Sequence, residues 1–171
     1  MDVNTFNKNV EWNLEQIAVQ VGHAERVKTR ARSGYYKSAI ILAAAIVEAL
    51  AYKILEQNNS LEMPLEDWQC VRSSFLPQQY KSDKGERLSV CERIKPKFKL
   101  NKQTDFKKVD EVCFALKIFP KKLFNKIEKI RKLRNKIHIQ GLNNLDRSYT
   151  KHELEFISSV MNELLGKINS N

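Results

Sequence analysis

The stretch YYKSAIILAAAIVEALAYKILE, residues 35–56, decides the fold. It is apolar nearly all round in its middle rather than along one stripe, the pattern of a helix that other helices surround. Its most apolar run, Ala39 to Ala51, spans 13 residues and contains Glu48. Crossing a bilayer takes roughly 20 apolar residues, so the run predicts a buried core helix. Upstream, Phe6, Val10, Leu14, Ile17, Val21 and Ala24 recur at steps of three or four, behind Asn4 and Thr5 as caps. That spacing predicts an amphipathic helix of about 25 residues. Ser33-Gly34 is expected to end it, giving two long helices in an antiparallel hairpin.

Downstream of Gln57 the helical signal breaks at Asn58-Asn59-Ser60, Pro64, Pro77, Gly85 and Pro96. Short helices are expected at Leu65–Phe75 and Glu86–Ile94, with no alternating strand pattern of useful length. Thr104-Asp105 then reads as a cap for Phe106, Val109, Val112, Cys113 and Leu116. Pro120 opens a helix to about Ile139. After Gly141 and the loop Asn143-Asn144-Leu145-Asp146, Thr150-Lys151-His152-Glu153 has the form of a capping box. The last helix shows an apolar face of Leu154, Ile157, Val160, Met161, Leu164 and Leu165. The expected fold class is all-α, an up-and-down helical bundle built on a long antiparallel helix pair. The expected organisation is one domain over 1–171, with an irregular basic insertion at 57–104.

Composition agrees. The chain has 171 residues, 42% hydrophobic and 29% charged, with 5 Gly and 4 Pro. That is too apolar for wholesale disorder and too poor in turn residues for a β-sandwich or barrel. Cys70, Cys91 and Cys113 are odd in number and form no C-x-x-C pair, which argues against a disulfide framework or a zinc site. The opening MDVNTFNKNVEWNL lacks the basic and apolar regions of a signal peptide. A cytoplasmic location is the expectation.

The net charge of +10 is unevenly placed. Residues 1–80 and 139–171 are each at −1, whereas 81–138 hold 19 basic and 7 acidic side chains, a net +12. Such a field favours polyanions, RNA or DNA, or an anionic membrane surface. A solvated lysine-rich face is the plainer explanation. A membrane role fits least, because the lysines are not gathered on one clean amphipathic helix.

The basic stretch ends on Leu123–His138. Its apolar stripe is Leu123, Ile127, Ile130, Leu133 and Ile137. With Ile130 at zero and about 100° per residue, Arg134 falls near 40°, within the stripe. On the same scale His138, Arg131 and Asn135 lie along one edge, at about 80°, 100° and 140°. An arginine in a buried stripe is costly unless it is paired or faces a cleft. It could also snorkel, and His138 could simply suit the negative end of the helix. Glu48, the one charge between Ser38 and Tyr52, is an obvious partner for Arg134 unless it reaches the helix rim.

The order of these features is a long helix, Gly34-Tyr35-Tyr36, an alanine-rich helix with Val47-Glu48-Ala49-Leu50, then Leu133-Arg134-Asn135-x-x-His138, a loop and a terminal helix. It resembles the HEPN superfamily, small helical bundles that include metal-independent endoribonucleases of toxin-antitoxin, abortive-infection and CRISPR defence systems, and inactive binding or dimerisation modules. The family motif is Arg, a polar residue and then His, with four to six residues between Arg and His. Here Arg134 and His138 have three between them and Arg131 and His138 six; Asn135 after Arg134 matches the polar position better than Lys132 after Arg131. The resemblance implies RNA cleavage by 2′-hydroxyl attack in a composite site of a homodimer, without metal or cofactor. It makes His138 the proton-transfer residue and Arg134 and Asn135 the phosphate-orienting pair, supported by Arg131 and Glu48. Lys95, Lys97, Lys99, Lys102, Lys107 and Lys108 would bind RNA around the cleft. Phe98 and Phe106 lie among them and would stack on bases or pack in the core. His23 and His152 lie in other helices without a comparable basic neighbourhood. The alternative is a non-catalytic HEPN-like module binding RNA or protein, and an antitoxin or a nucleotidyltransferase is a further kind of partner the resemblance allows.

Overall fold

The computed structural model describes residues 3–28, 30–58, 62–64, 69–75, 80–94, 97–99, 101, 104–136 and 149–169. The chain is mostly helical and divides into two compact units, 1–59 together with 103–171, and 60–102.

The first unit holds α1 (Val3–Arg26), α2 (Ala31–Gln57), α3 (Phe106–Ala115), α4 (Lys121–Asn135) and α5 (Lys151–Asn169). α2 packs against each of the other four, which is why its sequence is apolar on so many sides. Ala39, Ile40, Ala43, Ala44, Val47, Leu50, Ala51 and Leu55 are fully buried, as are Leu123, Ile127 and Ile130 of α4 and Ile157, Val160 and Leu164 of α5. Each large aliphatic side chain removed from water contributes about 1.5–3 kcal/mol, so the core is centred on α2. By length and composition α2 could cross a membrane, a test that the core helix of a bundle also passes.

The helix ends follow local chemistry. Asp105 caps α3 by accepting the Lys107 N–H at 3.1 Å. Glu153 accepts the Thr150 N–H at 3.0 Å, the reciprocal half of the expected capping box. The α1–α2 turn lies earlier than expected. α1 ends at Arg26 and α2 starts at Ala31, so Ser33 and Gly34 are helical. The Ser33 hydroxyl accepts the Tyr149 N–H at 2.7 Å and so serves the start of α5 rather than a turn. α1 is also less covered than its stripe predicts: Phe6 and Ala24 are buried, while Leu14 is 39% exposed.

The all-α class describes the first unit and most of the chain; the second unit corrects the expectation of short helices at 65–75 and 86–94. There β1 (Glu62–Pro64) pairs antiparallel with β4 (Lys97–Lys99), and β2 (Gln69–Phe75) with β3 (Ser89–Ile94). Glu62 lies opposite Lys99, Gln69 opposite Ile94, Phe75 opposite Ser89, and Lys81 bridges Arg87. The pairs therefore nest inside one another as in a single folded-back hairpin. Its turn carries Gly85 at φ +77°, a conformation that favours glycine. Segments of six or seven residues are too short to hold a helix by themselves, and pairing gives each strand's backbone groups partners instead.

Candidate functional site

α4 carries three different surfaces. Its apolar stripe faces the core, and beside that stripe Arg134 reaches α2. The Arg134 guanidinium donates through Nη1 to Glu48 Oε2. The two anomalies noted in the sequence, a carboxylate in the apolar helix and an arginine in an apolar stripe, are thus each other's partners. The pair is only part-buried, with side chains 36% and 32% exposed. A guanidinium has five N–H donors in a fixed fork, so Glu48 orients Arg134 and leaves donors for an anion. Asn135, the next residue, is exposed at the end of α4. His138 lies outside the described residues, as do Lys95 and Lys102.

Around from Arg134, Arg131 is held by Glu128 of its own helix, Nε to Oε1 at 2.6 Å and Nη2 to Oε2 at 2.9 Å. This hydrogen bonding raises the Arg131 pKa and pulls that of Glu128 below the usual carboxylate range. The supporting role expected for Arg131 therefore starts from a guanidinium already engaged along its Nε–Nη2 edge. Near it, Asp110 of α3 is fully buried, and neither carboxyl oxygen has a hydrogen-bond partner among the described residues. Burial, with Glu128 close by, pushes the Asp110 pKa up to about 7 against the opposing pull of Arg131. Cys113, one turn on, is buried and its thiol is pushed up for the same reason, desolvation.

The other lysines expected to hold RNA divide between the two units. Lys97 and Lys99 fall in β4, opposite Pro64 and Glu62. Lys107 and Lys108 stand in the first turn of α3, each 3.7 Å from Glu111. Phe106 is buried, so packing is its role.

A feature with no counterpart in the sequence expectations lies on the far side of α4. A groove of about 610 Å³ runs between α4 and α5, lined by Asn125, Lys129, Lys132 and Lys136 along one helix and His152, Glu153 and Phe156 along the other, over Phe124 and Leu133. This overturns the expectation that His152 has no basic neighbourhood. The signal was present in the i, i+3, i+7 spacing of the lysines, which places them in one row. Their meeting with His152 is tertiary and leaves no trace in local sequence. Among the described residues no group of three His, Cys, Asp or Glu side chains gathers as a metal site would require.

Compared with known proteins, the chain matches no family model, no curated protein and no solved structure.

Proposed function

We propose that this protein is a HEPN-like, metal-independent endoribonuclease that acts as a homodimer. The observation carrying this reading is the Glu48–Arg134 pair, an oriented and accessible guanidinium at the end of α4 with Asn135 beside it. A second observation supports a dimer. On the side of α2 that carries Glu48, Ile41 is 38% exposed and Ala45 is exposed, with Ala49 and Tyr52 only partly covered. Small residues there allow a second helix to approach closely and bring two copies of Arg134 toward one phosphate.

In this mechanism the ribose 2′-oxygen attacks the adjacent phosphorus, the bond to the 5′-oxygen breaks, and a cyclic phosphate and a 5′-hydroxyl result. His138 transfers the proton, from the 2′-hydroxyl or to the leaving oxygen, as a group titrating near neutrality can. Arg134, braced by Glu48, stabilises the charge gathering on the phosphoryl oxygens, and Asn135 orients them. Purified protein should cleave RNA in EDTA with those products. His138→Ala should lower the rate by about a hundred- to ten-thousand-fold, and Arg134→Ala by about a hundred- to a thousand-fold. Cleavage undiminished in His138→Ala, or dependent on added metal, sinks the mechanism.

A second reading has its own observation. Both arginines near the motif are ion-paired, Arg131 with Glu128 and Arg134 with Glu48, which suits a module that binds without cleaving. It gives RNA retention with no products, and near-neutral behaviour of His138→Ala.

A further inference from the structure

We infer that the groove between α4 and α5 binds the backbone of a single RNA strand, at a place separate from Arg134. The row Lys129, Lys132, Lys136 lies about half a turn around α4 from Arg134. None of the three is in an ion pair among the described residues. The two carboxylates that line the same groove are already engaged, Glu128 by the Arg131 fork and Glu153 by the Thr150 N–H at the start of α5. With three lysines against Glu153 and a Glu128 already paired with Arg131, the groove presents a net positive charge to whatever enters it.

The layout favours a strand over a lone anion. At about 1.5 Å rise per residue the row extends roughly 10 Å along the helix, so it addresses several negative groups in series. The floor is apolar, with Phe124, Leu133 and Phe156, and a single strand offers unstacked bases to such a surface where a duplex does not. Lys129 Nζ already sits 4.8 Å over the Phe156 ring. His152, one turn before Phe156 on α5, has Glu155 Oε2 4.0 Å from its Nδ1 at the ring edge and is 92% exposed, which leaves a ring face for stacking. The choice of RNA rests on the nuclease reading above; the recognition of a flexible polyanion rests on the groove alone.

The test is fluorescence anisotropy with a 2′-O-methylated oligonucleotide, which has no free 2′-hydroxyl and so reports binding whether or not the protein cleaves. For a single strand each neutralised phosphate contributes about 0.7 to the slope of log affinity against log salt. The triple variant K129Q/K132Q/K136Q should lose about 2 units of slope and bind roughly tenfold or more weakly in low salt. His152→Ala at pH 8 should weaken binding by about tenfold with the slope retained, since stacking is not ionic. The charge-matched variant K8Q/K117Q/K167Q should keep the wild-type slope. An unchanged slope in the groove variant, or the same loss in the control, overturns the proposal. If the groove variant behaves as expected while unmodified RNA stays intact with wild-type protein, the nuclease reading fails and the groove stands. If wild-type protein cleaves RNA and the groove variant binds like wild type, the groove fails and the nuclease reading stands.

Discussion

Asp110 shows most directly how burial makes a charge cost stability. Its carboxyl lies wholly inside α3's packed face with no hydrogen-bond donor among the described residues, and its folded pKa is pushed up to about 7 by desolvation. An unfolded aspartate titrates near 3.9. Between those values the folded state holds the proton more tightly, so the unfolded state binds fewer protons and stability falls as pH rises from about 4 to about 7. Above that window the whole penalty is present, a few kcal/mol on the scale of 1.36 kcal/mol per pKa unit. Asp110→Asn removes the ionisation and keeps the shape. It should melt several degrees above wild type at pH 8, with the difference closing by pH 4.5. Thermal unfolding across that range checks the sign; a variant less stable than wild type at pH 8 would mean that Arg131 holds Asp110 charged.

At the scale of elements, α2 explains most of the architecture because four helices need its surface. Ala44 is fully buried, so Ala44→Leu forces side chains and backbone apart and should cost about 1–3 kcal/mol in denaturant unfolding. Ala45, one residue on, is exposed, and Ala45→Leu should leave monomer stability nearly unchanged. α2 was legible in sequence because an all-round apolar pattern has few other solutions, and the caps at Asp105 and Thr150 were legible because capping is local chemistry. Glu48 and Arg134 were readable as partners because each broke an otherwise clean pattern. The hairpin in 60–102 was not. Its one alternating run, Arg93-Ile94-Lys95-Pro96-Lys97-Phe98-Lys99, rests on only two large apolar residues, Ile94 and Phe98, and Pro96 interrupts it, which weakens the strand signal. The groove escaped for another reason: two helices distant in sequence build it, and only packing brings His152 to Lys129, Lys132 and Lys136.

For the whole molecule the decisive question is what covers the open side of α2. Ile41, Ala45 and Ala49 follow at intervals of four along a helix whose other sides are packed, and Glu48 with its partner Arg134 borders them. Burying such a stripe is favourable, and in the proposed dimer a second copy would cover it with an identical stripe and no new sequence. Two Arg134 groups then stand near one axis, where their charges oppose association until an anion lies between them. RNA should therefore strengthen the dimer, and salt should weaken this effect while sparing the apolar contact. Ala45→Arg places a long charged side chain on the stripe. It is expected to shift the protein from dimer to monomer in light scattering, to leave the melting temperature within a few degrees of the monomer's own value, and to reduce RNA cleavage at least tenfold. Wild-type protein that is monomeric at assay concentration and cleaves at full rate removes the composite site, and would leave Arg134, Asn135 and His138 of a single chain to act alone.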